Sequence, residues 1–303
     1  MVPIYLLIGL GILSRKFNLL KTGDERVLNG YVYYFALPAL FFVNIAEVRF
    51  TPDTIRFILA GISPILLIIV FSTLIYRIFK LSRNTYYLLT LSTIFGSLAF
   101  FGIPFVMFAF PTADGENLAI LSASFISIVS VSISLIFLEI YNVKNVTIWQ
   151  NILQVLKKLY KNPLILSIIC GVIISLVDIT LPSPLQTTVH MLGQTTATVA
   201  LFLLGVFLYG RRYTKLRLAV TLSTLRMILL PTIALLIIKF FFKLPTMEQA
   251  ILVLMHSMPV AISMIILSQR YDFHKEIIAS VILFSSVGAG VYLNLWLLIL
   301  QYL

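Results

Sequence analysis

The sequence predicts an all-α polytopic membrane protein of ten transmembrane helices, arranged as two inverted five-helix repeats with helices 4 and 9 broken. Three observations lead there. Of 303 residues, 60% are hydrophobic and only 11% are charged, against about 25% charged in a soluble domain, and the mean hydropathy is +1.05. Ten apolar runs alternate with charged or Pro/Gly-rich breaks, five on each side of a longer polar stretch. Finally, Phe101-Gly102-Ile103-Pro104 and His256-Ser257-Met258-Pro259 place a proline beside small or polar residues at corresponding points of the two halves.

The ten predicted spans cover residues 2–14, 29–46, 54–78, 86–109, 118–140, 162–180, 186–209, 214–238, 247–268 and 276–300. The opening Met1 to Leu13 has neither a basic leading region nor a small-residue cleavage site, so it reads as a retained, short first span. Span five carries Ser122, Ser124, Ser127, Ser130, Ser132 and Ser134, a small surface suited to close helix contacts. The polar connection Tyr141 to Lys161 contains Val146 to Leu156 with Trp149, a candidate interfacial helix. The domain reading is therefore 1–140 for the first repeat, 141–161 for a cytoplasmic connection and 162–303 for the second repeat. Tyr292, Trp296 and Tyr302 in the last run read as packing and interfacial anchors. The single cysteine, Cys170, forms no internal disulfide and says nothing about redox compartment.

Charge sets the orientation. With the loop after span one in the cytoplasm, that side collects Arg15, Lys16, Lys21, Arg26, Arg77, Lys80, Arg83, Lys144, Lys157, Lys158, Lys161, Arg211, Arg212, Lys215, Arg217, Arg270 and Lys275. The other side holds Arg49, Arg56, Lys239 and Lys243. This seventeen-to-four split follows the positive-inside rule and places both termini outside the cytoplasm, in a cell inner or plasma membrane. The net charge of +11 is thus spread over short loops beside anionic lipid, and no nucleic-acid-binding module is visible.

Local matches support a duplication. Pro38-Ala39-Leu40-Phe41 corresponds to Val199-Ala200-Leu201-Phe202, and Pro104 to Pro259. An odd number of crossings in each half inverts the second half, a geometry with two alternative packings and hence alternating access.

The candidate site residues gather around the proline patches. Proline removes a backbone donor and frees a carbonyl one turn earlier, which a spanning segment tolerates only where neighbours or a water-filled cavity satisfy it. Thr93, Ser97, Gly102, His256, Ser257 and Ser263 are the small or polar residues near Pro104 and Pro259. The hydroxyls can bind carboxylate or carbonyl groups, or bond to their own helix carbonyls three or four residues back. His256 can bind an anion, carry a proton, or stay neutral on a backbone carbonyl. Arg226, five residues before Pro231, is the one arginine well inside a span; it can offset a carboxylate substrate, snorkel, or bond to span-end carbonyls. Asn44 and Gln194 read as packing residues. His190 and His274 sit near membrane boundaries, and the three histidines show no metal spacing.

In its order of motifs the chain resembles the auxin efflux carrier family, which includes plant PIN-type auxin exporters and bacterial malonate transporters and is related in fold to bile acid:sodium symporters. The resemblance rests on Asn29 to Phe42 with Leu37-Pro38-Ala39-Leu40, on Gly102-Ile103-Pro104, on Asn162-Pro163, on Leu201-Phe202 with Gly205, on Pro259, and on Tyr271-Asp272. It implies a crossover of broken spans four and nine near the midplane, where positive helix N-termini receive an anion. It also implies a transport domain of spans three to five and eight to ten, and a scaffold and homodimerisation domain of spans one, two, six and seven. Two positions depart from the plant pattern: Ser97 stands where plant members have an asparagine held to contact the substrate carboxylate, and Met264 where they have a second proline.

No Walker lysine motif, His-Glu-x-x-His motif or serine elbow is present, so the expectation is a non-enzyme with no cofactor and no metal site. Because no Asp or Glu occupies a span centre, a carboxylate proton relay is disfavoured, leaving H+ or Na+ as possible coupling ions, or uniport. The functional expectation is an efflux carrier for a small organic anion, such as malonate or an auxin-like acid, working by elevator-type alternating access. The alternatives are a nontransporting membrane ligand sensor and a sodium-coupled organic anion importer.

Overall fold

Proline and glycine decide where the helices of this chain loosen, stop and touch. The computed structural model describes residues 2–142, 160–210 and 213–301. Their helices are α1 (Val2–Lys16), α2 (Glu25–Ala46), α3 (Pro52–Ile78), α4 (Arg83–Ile94), α5 (Leu98–Ala109), α6 (Ala113–Asn142), α7 (Pro163–Leu176), α8 (Ser183–Leu208), α9 (Leu216–Phe242), α10 (Thr246–His256), α11 (Ser263–Arg270) and α12 (Lys275–Gln301). The expected interfacial helix at Val146 to Leu156 lies outside the described residues, as do the loop cations Arg211 and Arg212.

Three helices widen into a π turn just ahead of a proline. Val32–Ala36 does so before Pro38 in α2, Leu98–Gly102 before Pro104 in α5, and Leu225–Leu229 before Pro231 in α9. Proline cannot donate to the carbonyl four residues back, and a π turn absorbs the missing bond without ending the helix. In α9 the carbonyl deprived by Pro231 belongs to Met227, and the Trp296 indole donates to it at 2.9 Å. In α3 the carbonyl deprived by Pro64 belongs to Ala60, and the Ser63 hydroxyl donates to it at 3.2 Å. Helix starts follow the same economy: Asn162 accepts from the Leu164 N–H at 3.0 Å with Pro163 in the first turn, and Ser82 caps α4 through the Thr85 N–H.

Among the described residues six helices, α2, α3, α6, α8, α9 and α12, are long and apolar enough to cross a membrane. This corrects the expected ten transmembrane helices in two inverted five-helix repeats. The run at 2–14 gives α1, of 15 residues, and that at 162–180 gives α7, of 14; such helices rise about 22 Å, short of a hydrocarbon core of about 30 Å. The runs at 86–109 and 247–268 are each divided, into α4 and α5 and into α10 and α11. Hydropathy counts apolar residues and does not register that a spanning helix must be continuous. The chain is an all-α, multi-pass membrane protein, and its helices leave large apolar side chains such as Leu66, Val70, Phe240 and Phe241 exposed, as contact with lipid requires.

The chain forms two compact units. The first comprises Met1–Ile55, Ala99–Ser124 and Tyr160–Arg211. Within it α1 packs on α8, and α2 packs on α7 and α8. The α1–α8 contact is made backbone to backbone: a Cβ added at Gly11 would meet the Phe202 carbonyl oxygen at 2.1 Å, and one at Gly205 the Ile8 carbonyl oxygen at 1.9 Å. Only glycine allows that approach. Tyr31 and Thr195 exchange a hydroxyl hydrogen bond of 2.8 Å between α2 and α8.

The second unit comprises Arg56–Leu98, Phe125–Leu159 and Arg212–Leu303. Here α9 packs on α10 and α12, and α4 packs on α9. One edge is an aromatic cluster of Tyr86, Tyr87, Phe137, Tyr141 and Phe273, with the Arg83 guanidinium over Tyr87 and Tyr141. The buried Glu139 carboxylate accepts from the Tyr271 hydroxyl at 2.5 Å. In the adjoining turn Asp272 and His274 both have left-handed φ, of 49° and 41°. The Lys275 ammonium, 2.7 Å from Asp272 Oδ1, holds that carboxyl below its ordinary value, while burial and then the Lys215 charge lower His274.

Two outcomes follow from this packing. Gly205→Leu should destabilise the protein by about 1–3 kcal/mol through overpacking, read as a lower thermal midpoint in detergent with unchanged membrane insertion. For the turn, a histidine whose folded pKa is below its unfolded value of 6.5 stabilises the fold fully above that value and loses the contribution as pH falls through the folded pKa. The thermal midpoint should therefore drop between pH 7 and 5, and His274→Asn, which also tolerates left-handed φ, should flatten that drop.

Candidate functional site

The divided segments account for each other's main chain. α4 stops at Ile94. Were it continued, the Ser97 N–H would reach the Thr93 carbonyl; it donates instead to the Pro259 carbonyl at 2.7 Å. The Ala261 N–H in turn donates to the Phe95 carbonyl at 3.1 Å. Gly96 and Val260 thereby face each other in an isolated antiparallel bridge, as the close pair between two flanking hydrogen bonds. On the other side, the Val260 N–H donates to the Ser285 hydroxyl of α12 at 3.1 Å. An apolar medium offers no water for such groups, so an interruption survives only with partners of this kind.

Two carbonyls freed by the interruptions converge on one side chain. Arg226, 1% exposed, donates from Nε to the Met258 carbonyl at 2.7 Å and from Nη1 to the Thr93 carbonyl. α4 and α10 both end here, and the partial negative charge of helix C-termini favours a cation. Gly96 makes the room: a Cβ there would lie 1.9 Å from Arg226 Nη2 and 2.9 Å from its Cζ. A three-element knot results, built from the α4 end, the α10 end and the π turn of α9.

His256 closes α10 and is 1% exposed. Its Nε2 lies 2.9 Å from the Gly61 carbonyl oxygen of α3. A carbonyl only accepts, so Nε2 carries the proton; Nδ1 is buried without a hydrogen-bond partner among the described residues. The hydroxyls turn back on their own helices: Ser257 donates to the Val253 carbonyl at 2.8 Å and Thr93 to the Leu89 carbonyl at 2.7 Å. Among the described residues no group of three or more His, Cys, Asp or Glu is placed to hold a metal ion.

The family described as membrane transport protein matches this chain over residues 1–297. The chain belongs to that family. No curated protein matches it significantly.

In this membrane transport protein, seven of the sequence-derived candidates, Thr93, Ser97, Arg226, His256, Ser257, Pro259 and Ser263, fall in the second unit. Ser97 is bonded to Pro259, and Arg226 to Thr93, as described above, while Ser257 and Ser263 flank the interruption, at the cap of α10 and the first turn of α11. Gly102 and Pro104 belong to the first unit. The interruption of the 86–109 run lies at Phe95–Ser97, and Pro104 directly follows the π turn of α5, which takes up the missing N–H without ending the helix.

Gly96, Ser285 and the Gly61 carbonyl were not singled out from sequence. The available signals were the lone glycine inside an apolar run at Phe95-Gly96-Ser97 and Pro64 three residues after Gly61. Ser285 had no signal, because its role exists only once α12 lies beside Val260. Gly96→Ala should displace the guanidinium from at least one carbonyl and cost about 1–3 kcal/mol. Combined with Arg226→Gln, its cost should fall well below the sum of the two single changes, as measured by thermal unfolding of the purified variants.

Proposed function

We propose that this membrane transport protein is a secondary carrier that exports a small organic anion, a carboxylate such as malonate or an auxin-like acid, by elevator-type alternating access. The observation carrying the reading is the main-chain exchange between Phe95–Ser97 and Pro259–Ala261 with a buried guanidinium inside it. Carriers place substrate at interrupted helices because main-chain groups and helix ends there bind ions without a buried carboxylate. Arg226 supplies the positive charge, and Ser97, Thr93, His256, Ser257 and Ser263 supply neutral polar atoms close to it in sequence or structure. We assign the unit with the paired interruptions to the moving transport body, and the unit with residues 1–55 and 160–211 to a scaffold that also forms the homodimer. The reading further places the protein in the inner or plasma membrane with both termini outside the cytoplasm, following the loop charges.

The test is voltage-imposed flux in proteoliposomes with labelled malonate and labelled indole-3-acetate, against protein-free vesicles. Saturable flux of either supports the carrier; ligand binding to the protein without flux favours a sensor. Pro259→Ala, which restores a donor to α10 and extends its helical ladder, should lower flux at least tenfold while leaving membrane insertion unchanged. Normal flux in that variant would sink the assignment of the site.

A further inference from the structure

The bonds of Arg226 have the form of an ion site. Carbonyl oxygens at interrupted helices and at helix C-termini are the groups by which carriers hold small monovalent cations. Here the Thr93 and Met258 carbonyls come from two different interruptions, both at the ends of helices whose partial charge is negative, and one guanidinium takes both. Arginine keeps its charge at any physiological pH and presents its donors in a fixed fork. Gly96 leaves the space in which that fork lies.

We propose that Arg226 is a tethered cation filling a monovalent-cation site made by the Thr93 and Met258 carbonyls, so that the protein takes up no Na+ there. The side chain supplies permanently what a free ion supplies elsewhere: it neutralises two helix ends and ties the two interruptions together. Arg226 is in this sense a positioning residue, and removing it leaves a vacancy of the right charge and ligand type for an exogenous cation. As a consequence for the carrier reading, on which only this step rests, flux should not depend on a sodium gradient.

The vacancy can be tested with no substrate at all. Thermal unfolding of purified wild-type protein and of Arg226→Ala is followed in NaCl, in choline chloride of equal ionic strength, and in choline chloride with a few millimolar guanidinium chloride. The expected result is a midpoint rise of about 2–4 °C for Arg226→Ala at cation concentrations ten times the dissociation constant, in Na+ or guanidinium relative to choline. Wild-type protein should show no such rise. Arg226→Gln, which keeps a neutral NH2 donor group and loses the charge, is read in the same way if the alanine variant does not fold. Equal midpoints in all three salts for the folded variant, or the same rise in wild type, would overturn the proposal. A failure of malonate and indole-3-acetate flux with a positive cation response would instead count against the transport reading alone.

Discussion

An unpaired main-chain carbonyl or amide in an apolar interior is what this fold is arranged to avoid. Two helical segments stop within the apolar part of the chain, at Ile94 and His256. Ser97 and Ala261 donate across the Gly96–Val260 bridge, the Thr93 and Met258 carbonyls are met by Arg226, and the Val260 N–H by Ser285. The same constraint explains smaller features. Trp296 serves the carbonyl that Pro231 leaves on Met227, and Ser63 the one that Pro64 leaves on Ala60. Side chains that look like surface anchors or filler in the sequence are in these cases completing the backbone.

The constraint also bears on chemistry. The buried guanidinium is held by two carbonyls at helix C-termini, and its charge offsets the partial negative charge that the interruptions leave there. His256 is held differently, by one carbonyl of α3, with Nδ1 left unpartnered among the described residues. Arg226 and His256 thus sit on consecutive parts of the same segment architecture, one clamping the interruption and the other fastening α10 to α3.

Legibility in the sequence followed physical scale. The membrane class could be read from composition, because burying so much apolar surface leaves little alternative. The interruption at Pro259 could be read because proline acts locally. Arg226 and His256 could be picked out as rare ionisable residues in apolar runs, but whether each would face a substrate or a carbonyl could not, since that depends on where a second segment stops. The ten-helix inverted-repeat arrangement was misread for a related reason. It was inferred from counting apolar runs, whereas α1 and α7 are short and two further runs are divided. The interruption expected near Pro104 lies instead at Gly96, because the π turn of α5 takes up the bond that Pro104 cannot make, while a glycine marks room for another group only when that group is seen.

The two interruptions are mutually hydrogen-bonded and not open loops. Hydrogen exchange of the protein in lipid nanodiscs, resolved to the amides of Ser97, Val260 and Ala261, tests it most directly. These amides should exchange as slowly as those inside α10, because each has a main-chain or Ser285 acceptor. Exchange at the rate of the exposed turn around Asp272 would contradict it.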